Sequence, residues 1–84
     1  MEFREYIIEA YGSSDEILFA DGLDEAIIGF EQNLWKVVYS KTKCIHTLVE
    51  DGMDEEEAIE YLEYNTFSAY VGEKTPIWVD DFNY

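Results

Sequence analysis

The sequence predicts an α+β fold, a small antiparallel sheet of three to four strands packed against an N-terminal helix and a C-terminal helix pair. Three observations carry that expectation. Apolar residues recur at helical spacing near both ends, short β-branched and aromatic runs fill the middle, and Gly, Asp and Pro punctuate the boundaries. A chain of 84 residues has room for one core, so residues 1–84 are expected to form a single domain.

Taken in order, Phe3, Tyr6, Ile7, Ala10 and Tyr11 fall at i, i+3, i+4, i+7 and i+8. They line one face of a helix that Gly12 can end. Ser13 and Ser14 form a polar link to ILFA (17–20), read as a first strand. Asp21-Gly22 is a hairpin dipeptide, and Leu23 to Glu25 lengthen the connection before AIIGF (26–30). Gly29 inside that second run marks a bulge or a close backbone approach. A turn at Gln32 and Asn33 leads to LWKVVYS (34–40), the third strand of a meander.

Ser40 is placed to cap a helix whose buried stripe is Cys44, Ile45, Leu48 and Val49, with Gly52 as its stop. Asp54 opens the next helix and, with Glu57 three residues on, resembles a capping box. The acids of DEEE (54–57) sit at the positive end of that helix dipole, where each contributes about 0.3–1 kcal/mol. The helix is expected to run to about Val71 and close at Gly72. EKTP then leads into IWVDDF (77–82), a fourth strand joining the meander. Pro76 holds Thr75 extended.

Hydrophobic content of 48% with 17% aromatic is enough for an ordered core. The charge is the outlier: twenty Asp and Glu against five Lys and Arg give a formal net charge of −15. Such a surface attracts basic partners and repels nucleic acid and anionic membranes. Direct nucleic-acid binding is therefore excluded. No apolar run approaches the roughly 20 residues of a membrane span, no signal segment opens the chain, and the lone Cys44 cannot close an internal disulfide. A cytoplasmic location is expected.

The helix after Asp54 carries the functional expectation. At about 100° per residue, Ala58, Ile59, Leu62, Thr66 and Ala69 fall on one side. Glu56, Glu57, Glu60 and Glu63 fall on the other, with Tyr64 and Phe67 among or beside them. Glu56, Glu60 and Glu63 follow an i, i+4, i+7 track on which no Lys or Arg relieves the repulsion, a cost of a few tenths of a kcal/mol per pair. The ordinary reading is a solvated face. The sharper reading is an imitation of a phosphate track, since DNA carries a charge every 3.4 Å or so along each strand. Aromatic residues beside the acids would supply interface anchors. The candidate partner-binding residues are thus Glu56, Glu57, Glu60, Glu63, Tyr64 and Phe67.

Other chemistries find little support. DGLDE and DGMDE lack the ligand spacing of a calcium-binding loop, so no metal is expected. Cys44 and His46 lie about 200° apart on their helix and share neither a zinc ion nor a catalytic role. With no phosphate-binding glycine loop or paired metal histidines, neither a cofactor nor catalysis is expected. Asn65, at the edge of the buried face, is read as a structural hydrogen-bond hub for loop backbone groups.

Asp21-Gly22, Tyr39, Cys44-Ile45, Gly52-Met53, Glu57-Ala58 and the ending Tyr70-x-Gly72-x-x-Thr75-Pro76 resemble a pattern seen in small acidic proteins carried by bacteriophages, plasmids and their hosts. The resemblance covers about two thirds of the chain and implies no particular chemistry. It implies a mobile-element setting, in which small acidic proteins that block restriction or CRISPR nucleases are frequent. The expected function is an inhibitor of a basic nucleic-acid-binding protein, such as a defence complex. The alternative is a non-catalytic interaction module, a homodimer, anchored by apolar residues such as Trp35 or Trp78.

Overall fold

The computed structural model describes residues 2–12 and 17–81. The Ser13–Ser14 link and Phe82 lie outside the described residues. Helix α1 spans Phe3–Tyr11 and ends at Gly12, whose N–H donates to the Ile8 carbonyl at 3.0 Å and whose φ of 132° suits only glycine. Its expected apolar face is covered only in part. Ile7 is buried and Tyr11 half-buried, but Phe3 and Tyr6 stay exposed.

A turn at Asp21–Gly22 and one 3₁₀ turn over Asp24–Ala26 lead into β1 (Ile27–Glu31). β1 pairs antiparallel with β2 (Lys36–Ser40), matching Gly29 to Val38, Phe30 to Val37 and Glu31 to Lys36. The register then jumps, with Ile27 opposite Tyr39, so Ile28 is the extra residue of a β-bulge beside Gly29. The connecting turn is longer than expected and delays β2 to Lys36. It closes on Trp35 at φ 60°, a left-handed backbone that bulky side chains rarely adopt. Tyr11 stacks on Phe30 at 4.5 Å, and both rings meet the indole edge-on at 5.8 and 5.2 Å. Aromatic pairs of that kind contribute about 0.5–1.5 kcal/mol each, enough to offset the strain.

Ser40 caps α2 (Lys41–Glu50) as expected, its Oγ accepting from the Lys43 N–H at 3.1 Å. Helix α3 (Glu55–Leu62) follows after the turn at Asp51–Gly52 and packs against α2. The two helices carry the chain back across the molecule, so β3 (Ile77–Val79) returns parallel to β2, pairing Val38 with Ile77 and Ser40 with Val79. A parallel neighbour requires a crossover of this kind.

The fold class is α+β, with three α-helices and a three-stranded sheet in the order β1-β2-β3 among the described residues. The sheet is mixed where a purely antiparallel one was expected. ILFA is not a strand: it joins no edge of the sheet, and the Ala20 N–H donates to the Tyr39 hydroxyl at 2.7 Å. Ile17 nevertheless reaches the core, where it joins Ile7, Leu23, Ile27, Val37, Tyr39, Cys44 and Leu62.

Candidate functional site

Two local devices aim the acidic face of α3. At its start the Asp54 carboxylate accepts from the Glu57 N–H at 2.9 Å, fixing the first turn. Ala58 and Leu62, buried against the core side, then set the rotation of the helix. Glu56, Glu57, Glu60 and Glu63 consequently face solvent, and Tyr64 is 86% exposed.

Glu57, Glu60, Glu63 and Tyr64 line an open depression of about 670 Å³ together with Met53 and Tyr61. Glu56, on the same helix, stands outside it. Met53 and Tyr61 are missing from the sequence-derived set. Tyr61 was legible, since it falls about 40° from Glu57 on the wheel. Met53 was not, because it enters from the turn between α2 and α3 and no helical period reaches it.

Phe67 is corrected. The wheel placed it outward, but after Leu62 the helix widens into a π-turn over Glu63–Phe67. Such a turn winds about 18° less per residue, so five residues swing Phe67 by roughly 90°. The ring lands half-buried, 5.3 Å from Trp78, with the Lys41 ammonium 5.3 Å above it. The wider turn also ends the helix early. Ser68 Oγ donates to the Glu63 carbonyl at 2.9 Å, and the chain leaves helical geometry well short of Val71. Gly72 (φ 117°) is therefore no helix cap. It sits in a turn held by Thr75, whose hydroxyl donates to the Gly72 carbonyl at 2.6 Å and accepts the Val71 N–H at 3.0 Å. Asn65 is exposed and donates to the Tyr61 carbonyl at 3.1 Å, one turn back on its own helix, rather than to a loop.

Among the described residues two ion pairs form, Arg4–Asp24 at 3.1 Å and Lys41–Asp80 at 3.5 Å, and neither involves α3. The four glutamates therefore have no cationic partner in the described chain. Their mutual repulsion is relieved by solvent and salt alone.

The apolar anchors expected of a self-associating module are engaged internally. Trp35 closes the aromatic triad, and Trp78 lies between Tyr39 at 4.8 Å and Phe67. Cys44 is fully buried, and burial pushes its thiol up to about 12, with Asp81 adding to the effect. A thiol so held is almost entirely protonated at neutral pH and makes a poor nucleophile. His46 is exposed. Among the described residues no three His, Cys, Asp or Glu side chains are placed to hold a metal ion together, and no helix is long and apolar enough to cross a membrane.

Comparison with protein-family models, with curated proteins and with solved structures finds no match to this chain, so its functional reading rests on its own geometry.

Proposed function

We propose that the protein is a non-catalytic inhibitor of the mobile-element type, which lays the acidic face of α3 against the nucleic-acid-binding surface of a basic protein such as a restriction or CRISPR complex. One observation carries the reading. Glu56, Glu57, Glu60 and Glu63 all face solvent on one short helix, and no Lys or Arg of the described chain pairs with them. A helix serving only stability would gain by interleaving signs. Tyr61 and Tyr64 flank the acids and supply the rigid, amphipathic contacts favoured at interface centres. The resemblance to phage- and plasmid-borne acidic proteins points the same way by association. The protonated Cys44 and the solvent-facing His46 support a non-catalytic role.

The test is affinity capture from host lysate with the wild-type chain and with a Glu56→Lys, Glu60→Lys, Glu63→Lys variant. A captured protein should be released by excess duplex DNA and by raised salt, and the variant should fail to capture it while keeping a wild-type circular dichroism spectrum. Capture that survives both the variant and the DNA competitor removes this face as the site. A stable dimer in high-salt sedimentation, with no DNA-sensitive partner, replaces the inhibitor by the self-associating module.

A further inference from the structure

Two of the five cations of this chain are held in the same way, between an aromatic ring and a carboxylate. The Arg4 guanidinium lies over the Phe19 ring, 4.6 Å from its centroid, and donates to both oxygens of Asp24 at 3.1 and 3.3 Å. The Lys41 ammonium lies 5.3 Å from the Phe67 centroid and 3.5 Å from Asp80. The guanidinium is closer on both counts. Its plane stacks on a ring while its edge keeps hydrogen bonds to a carboxylate, whereas an ammonium is a point charge that holds its water more tightly.

The depression on α3 repeats that pairing of ring and carboxylate, but no Lys or Arg of the described chain pairs with its acids or covers its rings. Glu60 and Tyr61 both stand one turn on from Glu57, at roughly 5–6 Å between Cβ atoms, and Tyr64 follows one turn later. Tyr61 is 48% exposed and Tyr64 86%. Met53 adds an apolar wall from the turn before the helix. Every charged group lining this space is an acid, so the occupant it favours is a cation with an apolar stem and a face that can lie on a ring.

We propose that the depression receives an arginine side chain of the basic partner, its guanidinium stacked on a tyrosine ring, its N–H groups donating to Glu57 and Glu60, and its methylene stem against Met53. On the acidic-face reading, from which this follows, the glutamates draw in any basic surface and the tyrosines select arginine over lysine within it.

A second acidic hollow is a poorer place for the same group. Glu2, Asp24, Glu25, Glu50 and Asp51 line about 440 Å³ there, but no aromatic ring does, and Asp24 is already paired with Arg4. A bare metal ion fits the depression on α3 no better, because rings are not oxygen ligands and among the described residues no three His, Cys, Asp or Glu are placed to share an ion. A second copy would bring a net charge of −15 against the same acids, with its own Arg4 already engaged.

The probe is a blocked pentapeptide of alternating glycine and arginine, titrated into the full isotope-labelled chain, with its glycine and lysine counterpart as the charge control. At about 150 mM salt the arginine peptide should shift the Met53 methyl and the ring signals of Tyr61 and Tyr64. It should bind about fivefold more tightly than the lysine peptide. A Tyr61→Leu, Tyr64→Leu variant should keep its circular dichroism spectrum and a weak binding of both peptides but lose the preference, and Tyr61→Phe, Tyr64→Phe should retain it. Equal binding of the two peptides by the wild-type chain, a preference unchanged in the folded leucine variant, or shifts centred on Glu2, Asp24 and Asp51 would each overturn the proposal. Equal binding would leave DNA-sensitive capture of a partner intact, since charge alone would then hold it. An arginine preference with no DNA-sensitive partner would keep the depression as an arginine site and remove the inhibitor.

Discussion

The hydroxyl of Ser40 donates a 2.6 Å hydrogen bond to the Asp81 carboxylate, joining the end of β2 to the residues just beyond β3 across 41 positions of sequence. The same fully buried oxygen accepts the Lys43 N–H that starts α2. One atom thus caps a helix and ties down the parallel strand.

That double duty separates two caps that look alike in sequence. Ser40→Ala loses an N-cap and a hydrogen bond to a charged group, together about 2–4 kcal/mol. Asp54→Ala loses an exposed cap alone, about 0.5–2 kcal/mol. Urea unfolding of both variants should show Ser40→Ala as the larger loss.

Alkaline pH should unfold the protein through two buried acids. Burial raises Tyr39 to about 12, and the Ala20 N–H that bonds its oxygen only partly offsets this. Burial likewise raises Cys44 to about 12. In the unfolded chain these groups lose protons first, from the ordinary values of 10.0 and 9.0. Their contribution is therefore fully present below pH 9 or so and falls as pH rises toward 12, by at most about 1.4 kcal/mol per pH unit for each group. Stability measured between pH 8 and 11 should be flat at first and then decline. A thiol reagent at pH 8 should modify Cys44 only as fast as the protein opens.

The π-turn makes neighbouring aromatic residues unequal. Phe67→Ala removes a half-buried ring from Trp78 and from beneath Lys41, and should cost about 1.5–3 kcal/mol. Tyr64→Ala, on an almost fully exposed ring, should stay within about 0.5 kcal/mol of wild type. If the helix instead continued as a regular α-helix, Phe67 would face solvent and the two variants would be alike in thermal unfolding.

Salt should stabilise the free protein. With −15 net charge and unpaired glutamates on α3, shortening the Debye length from about 20 Å to about 5 Å relieves repulsion in the folded state. A gain of about 1 kcal/mol corresponds to roughly 4–8 °C in Tm for a domain of this size. Scanning calorimetry at low and high sodium chloride reads the effect, and the Glu56→Lys, Glu60→Lys, Glu63→Lys variant should show a smaller dependence.

Much of this molecule was legible in local sequence, because caps, turns and amphipathic faces depend on neighbours only a few residues away. Ser40 and Asp54 cap the helices that follow them, Cys44 and Leu62 point inward, and the glutamates of α3 point out, all from spacing and side-chain chemistry. Tertiary structure decided what spacing cannot encode. β3 pairs in parallel because α2 and α3 carry the chain back over β2, and ILFA is held by the Tyr39 hydroxyl rather than by a strand. Phe67 turns inward because Trp78, eleven positions later, offers a partner that a widened helical turn can reach. Gly29 could be read from sequence as a bulge or a close approach. Only the folded chain decides between them, by the register jump that puts the bulge at Ile28 beside it.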